Sequence, residues 1–156
     1  MNETRGAAKI VTPISDPPPF KTAVELEPGL LWFRLPLPMA LDHVNIYAFR
    51  DPDGWTIVDT GLNSQRTRDL WQYMLDGPLA EAPVRRVILT HHHPDHVGLV
   101  GWFQTEFGAE LLAPRTAWLF ARMLMLDVQD TPTDETLAFW RAAGMPEGAY
   151  AARLKQ

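Results

Sequence analysis

Short apolar runs that alternate with polar residues dominate the first third of the chain, and this period of two predicts β-strands. Pro28-Gly29 and Asp51-Pro52-Asp53-Gly54 separate neighbouring runs with residues that favour tight turns. Pro36 and Pro38 end one of the runs. The pattern therefore predicts an antiparallel meander with strands at residues 22–27, 30–35, 44–50 and 55–59.

Beyond Gly61 the apolar residues recur at helical spacing. Leu70, Trp71 and Met74 fall on one helical face, which predicts a helix over residues 64–75. The later segments predict, in order, a buried strand at 84–89, a helix at 97–107, a short strand at 110–112 and helices from Pro114 onward. Strands followed by alternating helices and strands predict a mixed sheet covered by helices, in the α+β class.

The last third of the chain has a helical pattern throughout. Thr131 and Asp134 resemble a capping box, with Pro132 at the first helical position. We expect its aromatic residues, such as Phe139, and the run Met123-Leu124-Met125-Leu126 to pack in a core. A flexible wall of an acyl-binding pocket is the alternative for the methionine-rich run.

Four of the five histidines lie in the sequence Thr90-His91-His92-His93-Pro94-Asp95-His96, directly after the predicted strand at 84–89. His91 and His93 are two residues apart, so on an extended backbone their imidazoles project from the same side and can close on one ion. Asp95 and His96 are then available for a second ion. The cluster falls at the C-terminal end of a strand, where open α/β sheets place their ligands.

Imidazole and carboxylate ligands suit a borderline divalent ion, with zinc first and manganese or iron as alternatives. A catalytic zinc ion lowers the pKa of its bound water to about 7, so hydroxide is available at neutral pH. Two ions roughly 3.5–4 Å apart let one hydroxide bridge both and attack a carbonyl or phosphoryl centre. The cluster therefore predicts metal-assisted hydrolysis.

Composition narrows the possible partners. The net charge is −5, from 14 basic and 19 acidic side chains without a basic run, so we predict no nucleic-acid or anionic-lipid partner. The chain has no cysteine, so nitrogen and oxygen must hold any metal. The polar N-terminus lacks a signal-peptide core and no apolar run approaches the roughly 20 residues of a membrane span, so we expect a cytoplasmic protein.

Two motifs resemble those of a known family. The sequence His91–His96 resembles the His-x-His-x-Asp-His motif of the metallo-β-lactamase superfamily, and Asp59-Thr60-Gly61 resembles its Asp-Thr-Gly motif at the end of an earlier strand. The resemblance extends from about Leu30 to Leu112.

The resemblance implies a role for each motif residue. His91 and His93 would bind a first metal ion, and Asp95 and His96 a second, with Asp95 also taking part in catalysis. His92 occupies the variable position of the motif and is not an expected ligand. Asp59 would orient a ligand histidine by hydrogen bonding, as metal-bound imidazoles generally need. Its alternative role is to end a strand or to cap the next helix.

The resemblance also implies a fold: the N-terminal half of a four-layer αββα sandwich, with a mixed sheet, helices on one face and a helical C-terminal segment. We divide the chain into a flexible arm at 1–19, a half-sandwich at 20–113 and a helical insertion or extension at 114–156. The family completes both metal sites with histidines and an aspartate after the motif, and no histidine follows His96. We therefore expect a truncated portion, inactive by itself, whose metal ions are absent or weakly held.

The implied function is hydrolysis of an ester, thioester or lactone in a small-molecule substrate, by attack of metal-bound hydroxide on the carbonyl. The alternative is a non-catalytic domain that keeps the fold for assembly or binding. An iron-dependent oxidative member of the superfamily is a third possibility. A half-sandwich leaves one sheet face uncovered, so we expect a homo-oligomer or association with a C-terminal fragment.

Overall fold

The structure is a computed structural model of the chain, and it describes residues 14, 16–126, 131–146 and 148–149. Its elements in chain order are β1 (Val24–Glu27), β2 (Leu30–Pro36), β3 (His43–Asp51), β4 (Gly54–Val58), α1 (Gln65–Asp76), β5 (Val84–Ile88), α2 (Pro94–Val97), α3 (Val100–Phe107), β6 (Glu110–Leu112), α4 (Arg115–Leu126) and α5 (Asp134–Ala142). Parts of the predicted arm and of the predicted helical segment lie outside the described residues, namely residues 1–13, 15, 127–130, 147 and 150–156.

The six strands form one sheet in the order β1-β2-β3-β4-β5-β6, so each strand lies beside its neighbours in sequence. The first four strands are antiparallel, whereas β4, β5 and β6 run parallel. The parallel strands need crossover connections, which α1 provides first and the pair α2 and α3 provides second. The prediction of a meander followed by helix-linked strands in a mixed α+β sheet is confirmed.

The core lies on one face of this sheet, beneath α1 and α3. Phe33 of β2, Trp71 of α1 and Phe103 of α3 are almost completely buried there. The ring centroids of Phe33 and Trp71 are 5.3 Å apart and those of Trp71 and Phe103 are 4.8 Å apart, both edge to face. Leu70 and Met74 are buried on the same side of α1, so the predicted apolar face of this helix is confirmed.

The other face of the sheet has a row of apolar side chains that crosses all six strands. The strand register places these residues side by side in one line, and we call them the apolar row: Val24, Trp32, Tyr47, Val58, Ile88 and Leu112. Leu112 at the end of the row is 42% exposed, and Phe49 beside the row is 41% exposed. This face therefore presents a continuous apolar surface that the core does not bury.

The helix predicted at 97–107 starts earlier than expected and is interrupted. The short helix α2 begins at Pro94, and α3 starts again after Gly98 and Leu99. Asp95 and His96 therefore lie inside a helix, not before one. The prediction missed α2 because its residues are polar and have no apolar period, although Pro94 suits a first helical position.

The chain divides into two compact units, Met1–Trp118 and Leu119–Gln156. In the second unit, α5 begins at Asp134, and the side chain of Thr133 accepts a hydrogen bond from the N–H of Thr136. The predicted cap at Thr131 is therefore wrong. Pro132 precedes the cap and so lies outside the first turn.

Several large apolar side chains after Trp118 are exposed, including Met125 and Leu126 at 77% and Phe139 at 70%. The prediction that they pack in a core is wrong for these residues. Helix α4 has apolar side chains on more than one side, so one packing face cannot bury them all, and Ala117 is its buried residue. Among the described residues, no helix is both long and apolar enough to cross a membrane.

Candidate metal centre

The two sequence motifs lie side by side at the C-terminal ends of the neighbouring strands β4 and β5. Asp59 follows β4 and Thr90 follows β5, and these strands are parallel neighbours, so their C-terminal ends lie side by side. The N–H of Asp59 donates a hydrogen bond to the carbonyl oxygen of Ile88 at 2.8 Å, which extends the pairing by one residue. The Asp-Thr-Gly sequence and the histidine cluster are thereby brought into contact.

Asp59 is buried, with only 4% of its surface exposed, and its backbone has a φ of 63°. Its Oδ1 accepts a hydrogen bond from the N–H of Thr90 at 2.8 Å. Its Oδ2 accepts from the hydroxyl of Thr90 and is bonded to Nδ1 of His96, both at 2.7 Å. Both carboxylate oxygens are therefore engaged, which a buried charge requires.

These bonds define the tautomers of two imidazoles. A carboxylate oxygen only accepts, so Nδ1 of His96 must carry the proton that is donated to Asp59. The hydroxyl of Thr90 donates to Asp59, so it accepts from Nδ1 of His91 at 3.0 Å. In both rings Nε2 is then left as the nitrogen that can bind a metal ion.

The imidazoles form one cluster. The ring centroid of His91 lies 3.9 Å from that of His96 and 4.6 Å from that of His93. His92 is farther away, with its ring centroid 6.4 Å from that of His91. The sequence suggested two separate ligand pairs, His91 with His93 and Asp95 with His96. In the structure the two pairs lie close together, because the ring of His91 is nearer to His96 than to His93.

The imidazole nitrogens and the carboxylate oxygen of this cluster are the types of atom that bind a divalent ion. Nε2 of His96 lies 3.3 Å from Oδ2 of Asp95, so two atoms that can bind a divalent ion lie close together. Within the described part of the chain, however, no three histidine, aspartate or glutamate side chains are placed to hold one ion together. The residues supply ligands of the right chemistry without a complete coordination shell.

The surroundings of His91 favour the neutral form of its imidazole. Burial lowers the pKa of His91 below its ordinary value, and the neighbouring His96 and His93 lower it further. Metal ligation requires the neutral imidazole, so this direction favours binding at neutral pH.

A comparison with known protein families identifies the family of this chain. The family model described as the metallo-beta-lactamase superfamily matches residues 39–149, which include both motifs. The chain belongs to the metallo-beta-lactamase superfamily.

Individual members of the superfamily agree with this assignment. A relative from Bacillus subtilis strain 168, named probable metallo-hydrolase YqjP, is 34% identical over 74 residues, which is 47% of this chain and 23% of that protein. A beta-lactamase domain protein from Burkholderia ambifaria is 34% identical with a TM-score of 0.66, over 72% of this chain and 36% of the other. The metallo-beta-lactamase family protein TTHA1429 from Thermus thermophilus is 30% identical with a TM-score of 0.61, over 79% of this chain and 40% of the other.

The chain thus spans less than half the length of each of these metallo-beta-lactamase relatives. The two solved structures share the fold of the sheet and its helices with this chain. The assignment of His91, His93, Asp95 and His96 as metal ligands stays a prediction.

The sequence prediction assigned no role to two threonines, Thr60 within the Asp-Thr-Gly motif and Thr90 directly before the histidine motif. Thr90 links Asp59 to His91, and the signal for it was a hydroxyl residue directly before the first histidine. Thr60 contacts the backbone at His96 and is considered below. The fifth histidine, His43, lies outside the cluster and has its Nδ1 bonded to the carboxylate of Asp42 at 2.5 Å.

Proposed function

We propose that this chain provides part of the metal centre of a hydrolase that cleaves an ester, thioester or lactone in a small molecule. One observation supports this most directly: Asp59 holds His91 and His96 in the tautomers that leave Nε2 for a metal ion. A buried aspartate that only ended a strand would not need a direct bond to His96 and a second connection, through the hydroxyl of Thr90, to His91. Membership of the metallo-beta-lactamase superfamily supports the same conclusion.

His91 and His93 would hold one divalent ion, and Asp95 and His96 would hold a second. Zinc is the first candidate for both because the ligands are imidazole nitrogen and carboxylate oxygen. A bound ion would supply Lewis acidity and an activated water for attack on a carbonyl group.

The chain's own residues position these ligands. Asp59 and Thr90 fix the orientation of the His91 ring, and Asp59 fixes that of His96 directly. Asp95 is partly exposed and its Oδ2 lies beside His96, so this carboxylate can also accept a proton from water at the site.

A non-catalytic domain that serves assembly or binding is the second candidate. It is favoured by one observation, namely that no three ligand side chains among the described residues converge on one ion. Such a domain would keep the Asp59 network as part of its fold and would bind metal weakly.

Zinc titration against a chromophoric chelator tests the proposal. We expect wild-type protein to bind zinc, and His91→Ala, His93→Ala and His96→Ala to weaken binding by about tenfold or more. His92→Ala is the matched control, since His92 lies in the same loop and is not a proposed ligand. The same proteins are then assayed with a panel of esters, thioesters and lactones, with and without added zinc.

Equal zinc affinity in His92→Ala and His93→Ala would contradict the ligand assignment. Zinc binding without hydrolysis of any substrate in the panel would favour the non-catalytic candidate for this chain. Loss of hydrolysis on chelation, with recovery on adding zinc, would support the hydrolase.

A further inference from the structure

Thr60 is fully buried next to the candidate metal centre, and its polar atoms are all engaged. Its N–H and its hydroxyl both donate hydrogen bonds to the carbonyl oxygen of His96, each at 2.8 Å. The same hydroxyl accepts from the N–H of Leu99 at 3.0 Å. Its carbonyl oxygen accepts from the indole N–H of Trp71 at 2.7 Å. None of the ligand roles proposed above uses this residue.

The hydrogen bonds of Thr60 lie at the break between α2 and α3. The carbonyl of His96 belongs to the end of α2, and Leu99 is the residue that precedes α3. Helix ends leave backbone donors and acceptors that need partners, and here one hydroxyl serves an acceptor and a donor at once. The side chain of Thr60 therefore fixes the backbone from which the His96 imidazole projects.

The packing around Gly98 makes this attachment close. A Cβ on Gly98 would lie 2.5 Å from the nitrogen of Asn63 and 2.6 Å from the carbonyl oxygen of Gly61. The loop that contains Thr60 and Gly61 thus touches the break between α2 and α3 through backbone atoms. Trp71 anchors the other side of this loop to the core.

We propose that Thr60 is a positioning residue that sets the orientation of the His96 imidazole by bonding the backbone between α2 and α3. The inference rests on the proposed function, because the orientation of His96 matters most if Nε2 binds a metal ion. Two residues then orient His96: Asp59 bonds the imidazole itself, and Thr60 bonds the backbone that carries it. Both act on His96 from consecutive positions in the sequence.

The test compares Thr60→Val, which keeps the shape but removes the hydroxyl, with Thr60→Ser, which keeps the hydroxyl. Thr56→Val is the matched control, because Thr56 is also buried and donates its hydroxyl hydrogen bond elsewhere, to Asp51. Two properties are measured: the hydrogen-bonded Nδ1–H signal of His96 in proton NMR without metal, and zinc affinity by chelator competition. If Thr60→Val fails to fold by circular dichroism, Thr60→Ala replaces it in the comparison with Thr60→Ser.

We expect Thr60→Val to lose the His96 signal and to bind zinc about tenfold more weakly, whereas Thr60→Ser and Thr56→Val resemble wild type. Wild-type signal and affinity in Thr60→Val would overturn the inference. An equal loss in Thr56→Val would also overturn it, since the effect would then reflect general stability. If the wild type binds no zinc, the proposed function fails, and the metal-free NMR signal alone decides the role of Thr60.

Discussion

Asp59 has an unusual backbone conformation for a residue with a side chain. Its φ of 63° lies in the left-handed region, which aspartate tolerates better than most residues but at a cost of about 1 kcal/mol or more. The conformation persists because three hydrogen bonds hold the carboxylate, two from Thr90 and one from His96. A strained and buried carboxylate whose bonds reach two imidazoles is better explained by ligand positioning than by strand termination alone.

We therefore predict that Asp59→Asn weakens zinc binding by about 10- to 100-fold and destabilises the fold by about 1–3 kcal/mol. The amide has one acceptor oxygen where the carboxylate has two, so the donors at Thr90 and His96 cannot all be satisfied. Chelator competition and urea unfolding measure the two effects. Asp53→Asn, an exposed aspartate on the turn between β3 and β4, is the control and should leave zinc affinity unchanged. Undiminished zinc affinity in Asp59→Asn would refute the positioning role.

At the scale of single residues, the sequence predicted which residues meet but not how they are bonded. The motif placed Asp59 near the histidines, and the structure does join it to His96. The path from Asp59 through Thr90 to His91 depends on the parallel register of β4 and β5 and on a left-handed φ. Neither property follows from local sequence patterns.

The break between α2 and α3 packs closely against the loop that contains Thr60 and Gly61, and this contact positions His96 in the candidate metal centre. Gly98 has an ordinary helical φ of −56°, so glycine is needed there for space and not for conformation. The atoms that a Cβ would meet within 2.6 Å are all backbone atoms, of Gly61, Asn63 and Pro94, which cannot rotate away.

Gly98→Ala should therefore destabilise the protein by about 1–3 kcal/mol, as overpacking generally does. Gly101→Ala is the matched control in α3, where a Cβ would meet nothing within 4 Å. That change should stabilise the protein by about 0.5–1 kcal/mol, because alanine restricts the unfolded chain and favours the helix. Urea unfolding measures the change in the free energy of unfolding for each variant. Equal changes in Gly98→Ala and Gly101→Ala would refute the packing argument.

In the middle of β5, Arg86 binds an exposed carboxylate at the turn between β3 and β4. Its Nη1 and Nη2 donate to the two carboxylate oxygens of Asp53 at 3.0 and 2.7 Å. These hydrogen bonds lower the pKa of Asp53 below its ordinary 3.8 and raise the pKa of Arg86. Because the folded-state pKa of Asp53 is depressed, its contribution is complete above the unfolded value and is lost as the pH falls through the folded value.

We predict that Asp53→Asn reduces the pH dependence of stability on the acid side. The variant should be less stable than wild type near neutral pH, and the two curves should converge at low pH. Urea unfolding between about pH 6 and about pH 2 measures this, and added salt should shrink the difference because the pair is exposed. Asp76→Asn, at a carboxylate bonded to the amide of Gln72, is the control. A constant difference at every pH would contradict the linkage.

The periodic elements were predicted well because their apolar patterns are strong. All strands and the helix α1 appear within two residues of their predicted ends. Helix α2 was missed because its four residues show no apolar period. The cap of α5 was misplaced because Thr131 and Thr133 are both plausible caps and only the hydrogen bond to Thr136 distinguishes them.

For the molecule as a whole, the apolar row is the feature with the largest consequence. It includes one residue from each strand, from Val24 to Leu112, and crosses about 24 Å at the usual strand spacing. Exposed apolar surfaces of this extent usually mark contact with another chain or segment. The resemblance alone predicted association with another chain or fragment. The apolar row is the surface through which we expect this association.

In a purified sample of this chain the available partner is a second copy. A two-fold axis would place the apolar row of one copy against the apolar row of the other, so the same surface can serve both copies. We therefore predict that the chain sediments as a dimer, above its monomer mass of 17.6 kDa. Phe49→Ser, beside the apolar row, should shift the equilibrium towards monomer, whereas Tyr73→Ser, an exposed aromatic on α1, should not. A monodisperse monomer of the wild type at high concentration would rule out self-association through this face, and equal behaviour of the two variants would place any dimer contact elsewhere.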